Sequence, residues 1–275
     1  MHFNREKTIQ KKRLKIRPNA TDNRVAANSD IRHIPRVRNS KRKKEKVYQR
    51  NVEIAKSFSN KNYKNISDWK GILENQPAFI LGNAPSISTK NLSLLDDYFT
   101  IGVNRIFYIY DPTVLMWQDQ EVWIQDKKKI MQQKAIKICR DRSDPRQKFI
   151  NFELNMGKFK FKEDPGQLNG RGNTGALAIQ LAVAMGCFCV VLLGMDCKYD
   201  GKGRTDFYGK NKDHKSYTLK MCDNAMNWVK KSCPIPVYNC GNSELWPKME
   251  LKDIISDLNP KRFGRDYFLK ILGKK

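Results

Sequence analysis

Four short apolar runs, each closed by a small or polar turn, constrain this chain more than any other feature. Ala78–Leu81 (AFIL) runs into Gly82-Asn83, and Phe99–Val103 (FTIGV) into Asn104-Arg105. Val114–Trp117 (VLMW) runs into Gln118-Asp119, and Phe188–Leu193 (FCVVLL) into Gly194-Met195-Asp196. Runs this short, with no alternation of apolar and polar positions, mark strands covered on both faces, the habit of a parallel sheet. Helical patterns lie between them. Gln120–Lys134 and Lys215–Lys231 are amphipathic, the second stopped by Pro234; Thr174–Met185 is apolar nearly all round and closed by Gly186 in the C′ position. Ala135–Cys139 and Val237–Cys240 read as further strands, Phe149–Phe152 and Phe159–Phe161 as minor ones, and Asn91–Tyr98 as helix-compatible. Strands alternating with helices predict an α/β fold, a doubly wound and mainly parallel sheet.

Charge divides the chain differently. The 275 residues carry a net charge of +25. Residues 1–50 hold 17 basic against 4 acidic side chains, and residues 261–275 hold 6 against 1. The expected organisation is therefore a basic, weakly ordered N-terminal arm over residues 1–66, an α/β catalytic domain over 67–258, and a basic C-terminal tail or helix over 259–275. Within the arm, Lys41–Phe58 has the pattern of a basic helix. Such a density of positive charge attracts polyanions, nucleic acid or an anionic membrane surface. No apolar stretch reaches the length of a membrane span, and the first residues lack the apolar core of a secretion signal. A cytoplasmic location is expected, the host cytoplasm if the chain is phage-encoded. The seven cysteines, mostly inside apolar runs, read as buried reduced thiols, and their spacing forms no zinc pattern.

The candidate chemistry sits at the strand ends, where ligands bind in an open parallel sheet. Gly82 allows a tight turn, while Asn83 and Ser86 offer amide and hydroxyl groups to a base, ribose or phosphate. A lone glycine here departs from the G-x-G-x-x-G pattern and does not support NAD binding. Asn104 and Asp119 follow the next two strands. Gly170-Arg171-Gly172-Asn173-Thr174-Gly175 opens the apolar helix, whose first N–H groups and positive dipole end suit an anion; Arg171 adds a bidentate donor. Gly194 and Asp196 close the central strand, Asp196 placed for ribose hydroxyls or a catalytic role. His214, the sole histidine outside the basic arm, suits a general base with an ordinary pKa of ~6.5.

In order, GNAPSI, GVNRIFYI and GNTGALAIQLAVAMGCFCVVLLGMD resemble the motifs of the bacterial sialyltransferase family. They resemble equally a related set of phage and archaeal proteins that includes the archaeal 6-hydroxymethylpterin diphosphokinases. The likeness runs over roughly residues 77–250, and GRTDFYGKNKDH with IPVYNCGNSELWP resembles the phage members in particular. It implies a Rossmann-like, glycosyltransferase A-like fold that binds a nucleotide-sugar without a metal. By the matching motifs Asn83 and Asn104 hold the nucleotide, and Gly82 and Ser86 shape its turn. Arg171 and Thr174 lie by the phosphate and sugar, Gly194 and Asp196 by the ribose and base, and His214 is the general base. The chain departs from the pattern at Ala84, where a second glycine is usual, at Thr174 in place of serine, and at Lys198 where a tyrosine is expected, with Tyr199 beside it.

The function expected from these residues is transfer of a sugar from a nucleotide-activated donor, a CMP- or UDP-sugar, to an acceptor hydroxyl. No tightly bound cofactor and no metal are expected. Charge suggests a polyanionic acceptor, nucleic acid such as hydroxymethylated phage DNA; a glycan or lipid-linked acceptor at an anionic membrane competes with it. Two other classes fit the same residues. An ATP-dependent diphosphokinase of a pterin-like alcohol needs magnesium-holding carboxylates around Asp119, Asp196 or Asp206. A non-catalytic nucleic-acid-binding protein needs only the charge.

Overall fold

The computed structural model describes residues 65–144, 146, 148–156, 160–170, 172–209 and 216–273. The basic arm before residue 65, the candidate helix Lys41–Phe58 within it, Arg171 and His214 lie outside the described residues.

Eight strands form one sheet in the order β6-β5-β4-β3-β2-β1-β7-β8. They are β1 (Pro77–Leu81), β2 (Thr100–Val103), β3 (Val114–Trp117), β4 (Ile136–Arg140), β5 (Ile150–Asn155), β6 (Gln167–Asn169), β7 (Cys189–Leu193) and β8 (Val237–Asn239). Every neighbouring pair is parallel. From β1 the chain builds outward on one side through β2 to β6, then returns to place β7 against the other side of β1. The order thus reverses between β1 and β7, and a crevice opens beyond their C-terminal ends.

Five α-helices occur among the described residues: α1 (Gln120–Gln132), α2 (Thr174–Ala184), α3 (Ser216–Ser232), α4 (Leu251–Leu258) and α5 (Arg265–Ile271). The period of two within each strand sorts them into layers. Ala78 and Ile80 of β1 face a cluster with Leu177, Leu181, Met226, Val229 and Phe268 from α2, α3 and α5. Phe79 and Leu81 face the other way, into a cluster with Val122, Ile130, Leu251 and Ile254 from α1 and α4. Helices cover both faces, so the fold is the doubly wound, Rossmann-like α/β class. Its sheet is wholly rather than mainly parallel.

α2 is buried along almost its entire length, because it carries the return from β6 across the sheet to β7. Gly186 ends it in the left-handed region at φ +85°, and the Cys187 N–H closes back on the Ala182 carbonyl at 3.1 Å.

Several local expectations are corrected. Asn91–Tyr98 is not an α-helix: a short 3₁₀ turn at Leu92–Leu95, capped by the Asn91 side chain, follows another at Pro85–Thr89. Phe149–Phe152 becomes a full strand, β5. Phe161 is not in a strand; it stacks on Trp228 at 4.8 Å, and the outermost strand forms later, at Gln167–Asn169. Of the tail or helix expected over 259–275, the helix is present as α5, with Phe268 and Leu272 fully buried and the Leu272 carbonyl accepting from Trp69 Nε1 at 3.2 Å.

Candidate functional site

The ends of β1, β2, β3 and β7 and the start of α2 converge on a cavity of about 420 Å³ at the reversal point. Close packing makes this convergence possible. A side chain at Gly82 would put its Cβ 2.1 Å from the Gly194 carbonyl oxygen, so the turns after β1 and β7 touch through backbone alone. Gly175 likewise leaves room for Met195, whose sulfur would lie 2.6 Å from an added Cβ.

Of the residues singled out from sequence, Gly82, Asn83, Asn104, Asp119, Asn173, Thr174, Gly175, Gly194 and Asp196 line this cavity. Ser86 does not line it; it stands behind Asp196 and donates to Oδ1 at 2.7 Å. The Asn242 N–H donates to the same oxygen at 2.8 Å, leaving Asp196 Oδ2 without a partner among the described residues.

Two of the asparagines serve the fold as well as the cavity. Asn83 Nδ2 donates to the Val103 carbonyl at 3.0 Å and its Oδ1 accepts from the Arg105 N–H at 3.1 Å, fastening the end of β1 to that of β2. Asn173 is the N-cap of α2: Oδ1 accepts from the Ala176 N–H at 3.1 Å and Nδ2 donates to the Cys222 carbonyl at 3.1 Å. Asn104 holds a left-handed conformation, φ 51°, and accepts from the Thr174 hydroxyl at 3.3 Å. Thr174 and Gly175, the first residues of α2, line the cavity with the positive end of the helix behind them.

The remaining wall was less visible in the sequence. Arg105 comes from the turn after β2, and its Nε donates to Asp126 at 2.7 Å. Burial works against the guanidinium charge, but the hydrogen bonds to Asp126 and Tyr208 outweigh it and raise the pKa. Asp126 also accepts from the Tyr108 hydroxyl, and it breaks the helical φ/ψ pattern inside α1. Tyr208 has its hydroxyl pushed up to about 12 by burial and the Asp206 charge. The loop bearing Asp206 and Tyr208 is fastened over β1 by the Phe207 N–H, which donates to the Asn83 carbonyl at 2.7 Å.

Cys197 and Cys222 also line the cavity, both with raised thiol pKa values. Cys222 is pushed to about 11 by burial and then by Asp206, Asp119 and Asp223. Thiols held so far toward the protonated form are poor nucleophiles at neutral pH. The other cysteines are free thiols too. Of the ionisable side chains on the described wall, Arg105 and Lys198 are basic and Asp119, Glu121, Asp196 and Asp206 acidic. No three of the described His, Cys, Asp and Glu side chains are grouped to hold a metal ion.

The fold is a doubly wound α/β sheet with a cavity at its reversal point. No protein-family model and no curated protein matches the chain. Among solved structures it is similar to the sialyltransferase CstII of Campylobacter jejuni in complex with cytidine-5′-monophosphate: 16% identity, TM-score 0.39, over 62% of this chain and 83% of that one. It is also similar to the monofunctional α-2,3-sialyltransferase Cst-I of the same organism, at 14% identity and TM-score 0.36, over 62% and 78%. At this distance the likeness carries no activity or substrate to the present chain. No helix among the described residues is long and apolar enough to cross a membrane.

Proposed function

We propose that the cavity binds a nucleotide-sugar and that the protein is a glycosyltransferase, moving the sugar to an acceptor hydroxyl. One observation carries the reading. Strand ends on both sides of the reversal point and the N-terminus of α2 meet at a single cavity of about 420 Å³, in the size range of small-molecule sites. The donor phosphate sits at the Thr174 and Gly175 amides, where helix N–H groups and dipole suit an anion. Asp196 and Asp119 take ribose or sugar hydroxyls, which accept and donate where phosphate oxygens only accept. As the bond to the sugar breaks, the leaving phosphate gains charge, and fixed donors at the helix terminus stabilise it without rearrangement. His214, from the motif resemblance, is the base that takes the acceptor proton. A CMP-sugar is the first donor to test.

The acceptor reading rests on charge. Nucleic acid is proposed because of the +13 balance of residues 1–50. Each phosphate contact on duplex DNA contributes about −0.9 to the slope of log affinity against log salt, so six contacts give about −5. The full chain should show such a slope and a form lacking residues 1–50 should lose most of it; equal slopes would remove nucleic acid as the acceptor.

A second reading is favoured by the carboxylates. Asp119, Asp196 and Asp206 all border the cavity, though not grouped as a three-ligand site, and an ATP-dependent diphosphokinase acting with magnesium would have to hold the metal with one or two of them. Thermal-shift measurements with CMP-, UDP- and GDP-sugars and with ATP, each with and without EDTA, separate the two. A response to a nucleotide-sugar that survives EDTA supports the transferase; a response to ATP alone, abolished by EDTA and restored by magnesium, supports the kinase.

A further inference from the structure

The outward face of α1 carries exposed apolar and basic side chains together. Val122, Asp126 and Ile130 are buried, and Ile124, before the break at Asp126, and Lys128 and Met131, after it, are left exposed. Ile124 is 64% and Met131 59% exposed. Basic groups surround them. On one flank the Trp123 ring lies between Lys127 and Lys148, each 5.8 Å from its centre, and rests edge-on against Phe149. On the other, Lys129 sits 3.9 Å over the ring of Tyr108. Lys127, Lys128 and Lys129 are exposed, as are Arg142, Arg146 and Lys148 in the neighbouring β4–β5 connection. The acidic groups nearby offset only part of this. Asp126 is committed to Arg105 and Tyr108, Asp144 is buried, and the exposed acids are Asp119 and Glu121 at the start of α1 and Asp141, the last 4.0 Å from Arg140.

We propose that this face docks on an anionic lipid surface. α1 lies in the headgroup plane, Ile124 and Met131 enter the boundary with the acyl chains, and the lysines and arginines meet lipid phosphates. The pattern separates a bilayer from other polyanions. A phosphate backbone in water is served by the lysines and gains nothing from Ile124 and Met131 among them. A bilayer interface rewards both, and amphipathic aromatic rings such as Trp123 and Tyr108 settle at headgroup level. Glu121 and Val122, in the first turn of the same helix, line the cavity, so docking holds the cavity mouth beside the lipid surface. The docking surface does not depend on what the cavity transfers.

The test compares full-length proteins, so that the N-terminal residues are common to all. Wild type, Ile124→Ser/Met131→Ser and Lys127→Gln/Lys128→Gln/Lys129→Gln are sedimented with vesicles of phosphatidylcholine alone or mixed with phosphatidylglycerol, and titrated in parallel with duplex DNA. Thermal melts confirm that these surface changes leave the fold intact. Wild type should prefer the mixed vesicles. The serine variant should partition about tenfold less, through lost insertion, and the glutamine variant about a hundredfold less, at roughly fivefold per lysine. DNA binding should be the same for the serine variant as for wild type. A serine variant that partitions like wild type overturns the proposal. So does a glutamine variant that loses DNA binding while keeping its vesicle partition, which would make the face a nucleic-acid surface.

Discussion

At the end of β1, Asn83 spends one amide hydrogen on the Val103 carbonyl and its oxygen on the Arg105 N–H, at 7% exposure. Replacing it with alanine leaves a buried carbonyl and a half-buried N–H unmet, at a cost of about 1–3 kcal/mol. Asn83→Ala should therefore lower both the melting temperature and the affinity for nucleotide; unchanged stability in a urea melt would show that the bridge between β1 and β2 carries no weight. Sequence reading could place Asn83, Ser86 and Asn173 at a strand end or helix start, but not say whether the side chain faces a ligand or the backbone. That depends on partners 20 or more residues away, such as Val103 for Asn83 and Cys222 for Asn173. Asp144 gives a test in pH. Burial raises its pKa, although the Phe149 N–H and Asn151 amide oppose the shift. A carboxyl whose folded pKa lies above its unfolded value favours folding while protonated and costs stability as pH rises through the folded pKa. Asp144→Asn should melt higher than wild type at neutral pH, with the gain vanishing in acid below the ordinary Asp range. A gain independent of pH would assign the effect to packing instead.

Among the elements, the central strands were legible because burial on both faces forces unbroken apolar runs, as in AFIL, VLMW and CVVLL. β6 was not, since QLN at the sheet edge needs one apolar side chain, Leu168, and its polar neighbours bond across the strand pair, Asn155 to Gln167 at 2.9 Å. The stretch after β1 keeps a helical look yet forms 3₁₀ turns, as does the stretch after β2, because turns of three to five residues must bring Ile87, Leu95 and Ile106 onto the sheet. The break in α1 at Asp126 had no local signal either. It serves a contact with Arg105, 21 residues away, in a pair whose side chains are 14% and 9% exposed. The C-terminal segment, expected as a basic tail or helix, is a helix, and its charges hid its docking on the core: Arg265, Asp266 and Lys270 flank Phe268, which is fully buried against Phe99 at 5.7 Å. Phe268→Ala should cost about 3–5 kcal/mol, the loss typical of a core phenylalanine. A change near zero would return α5 to the status of an appendage.

For the molecule as a whole, alternation of apolar strands and helices was enough to imply a doubly wound sheet, and the polar groups after those strands were enough to imply a crevice at one edge. Missing from the sequence was the strand order, which alone says that β7 lies beside β1 and brings Asp196 to Ser86 and Gly194 to Gly82. Missing too were Tyr208 and Cys197, whose place depends on how the loop after β7 folds back over β1, Cys222 on α3, and the pairing of Arg105 with Asp126 and Tyr208. The central claim is that this crevice is a nucleotide-sugar site, and direct titration of a CMP-sugar into the full-length protein tests it most plainly. One molecule should bind per chain. At a hundred times the dissociation constant it should add about 2.7 kcal/mol to stability, raising the melting temperature by roughly 5–10 °C. Thr174→Val, which keeps the shape of the first turn of α2 but removes the hydroxyl bonded to Asn104, should weaken that binding. No heat and no thermal shift with any nucleotide or nucleotide-sugar, or an affinity untouched by Thr174→Val and Asn83→Ala alike, would contradict the account.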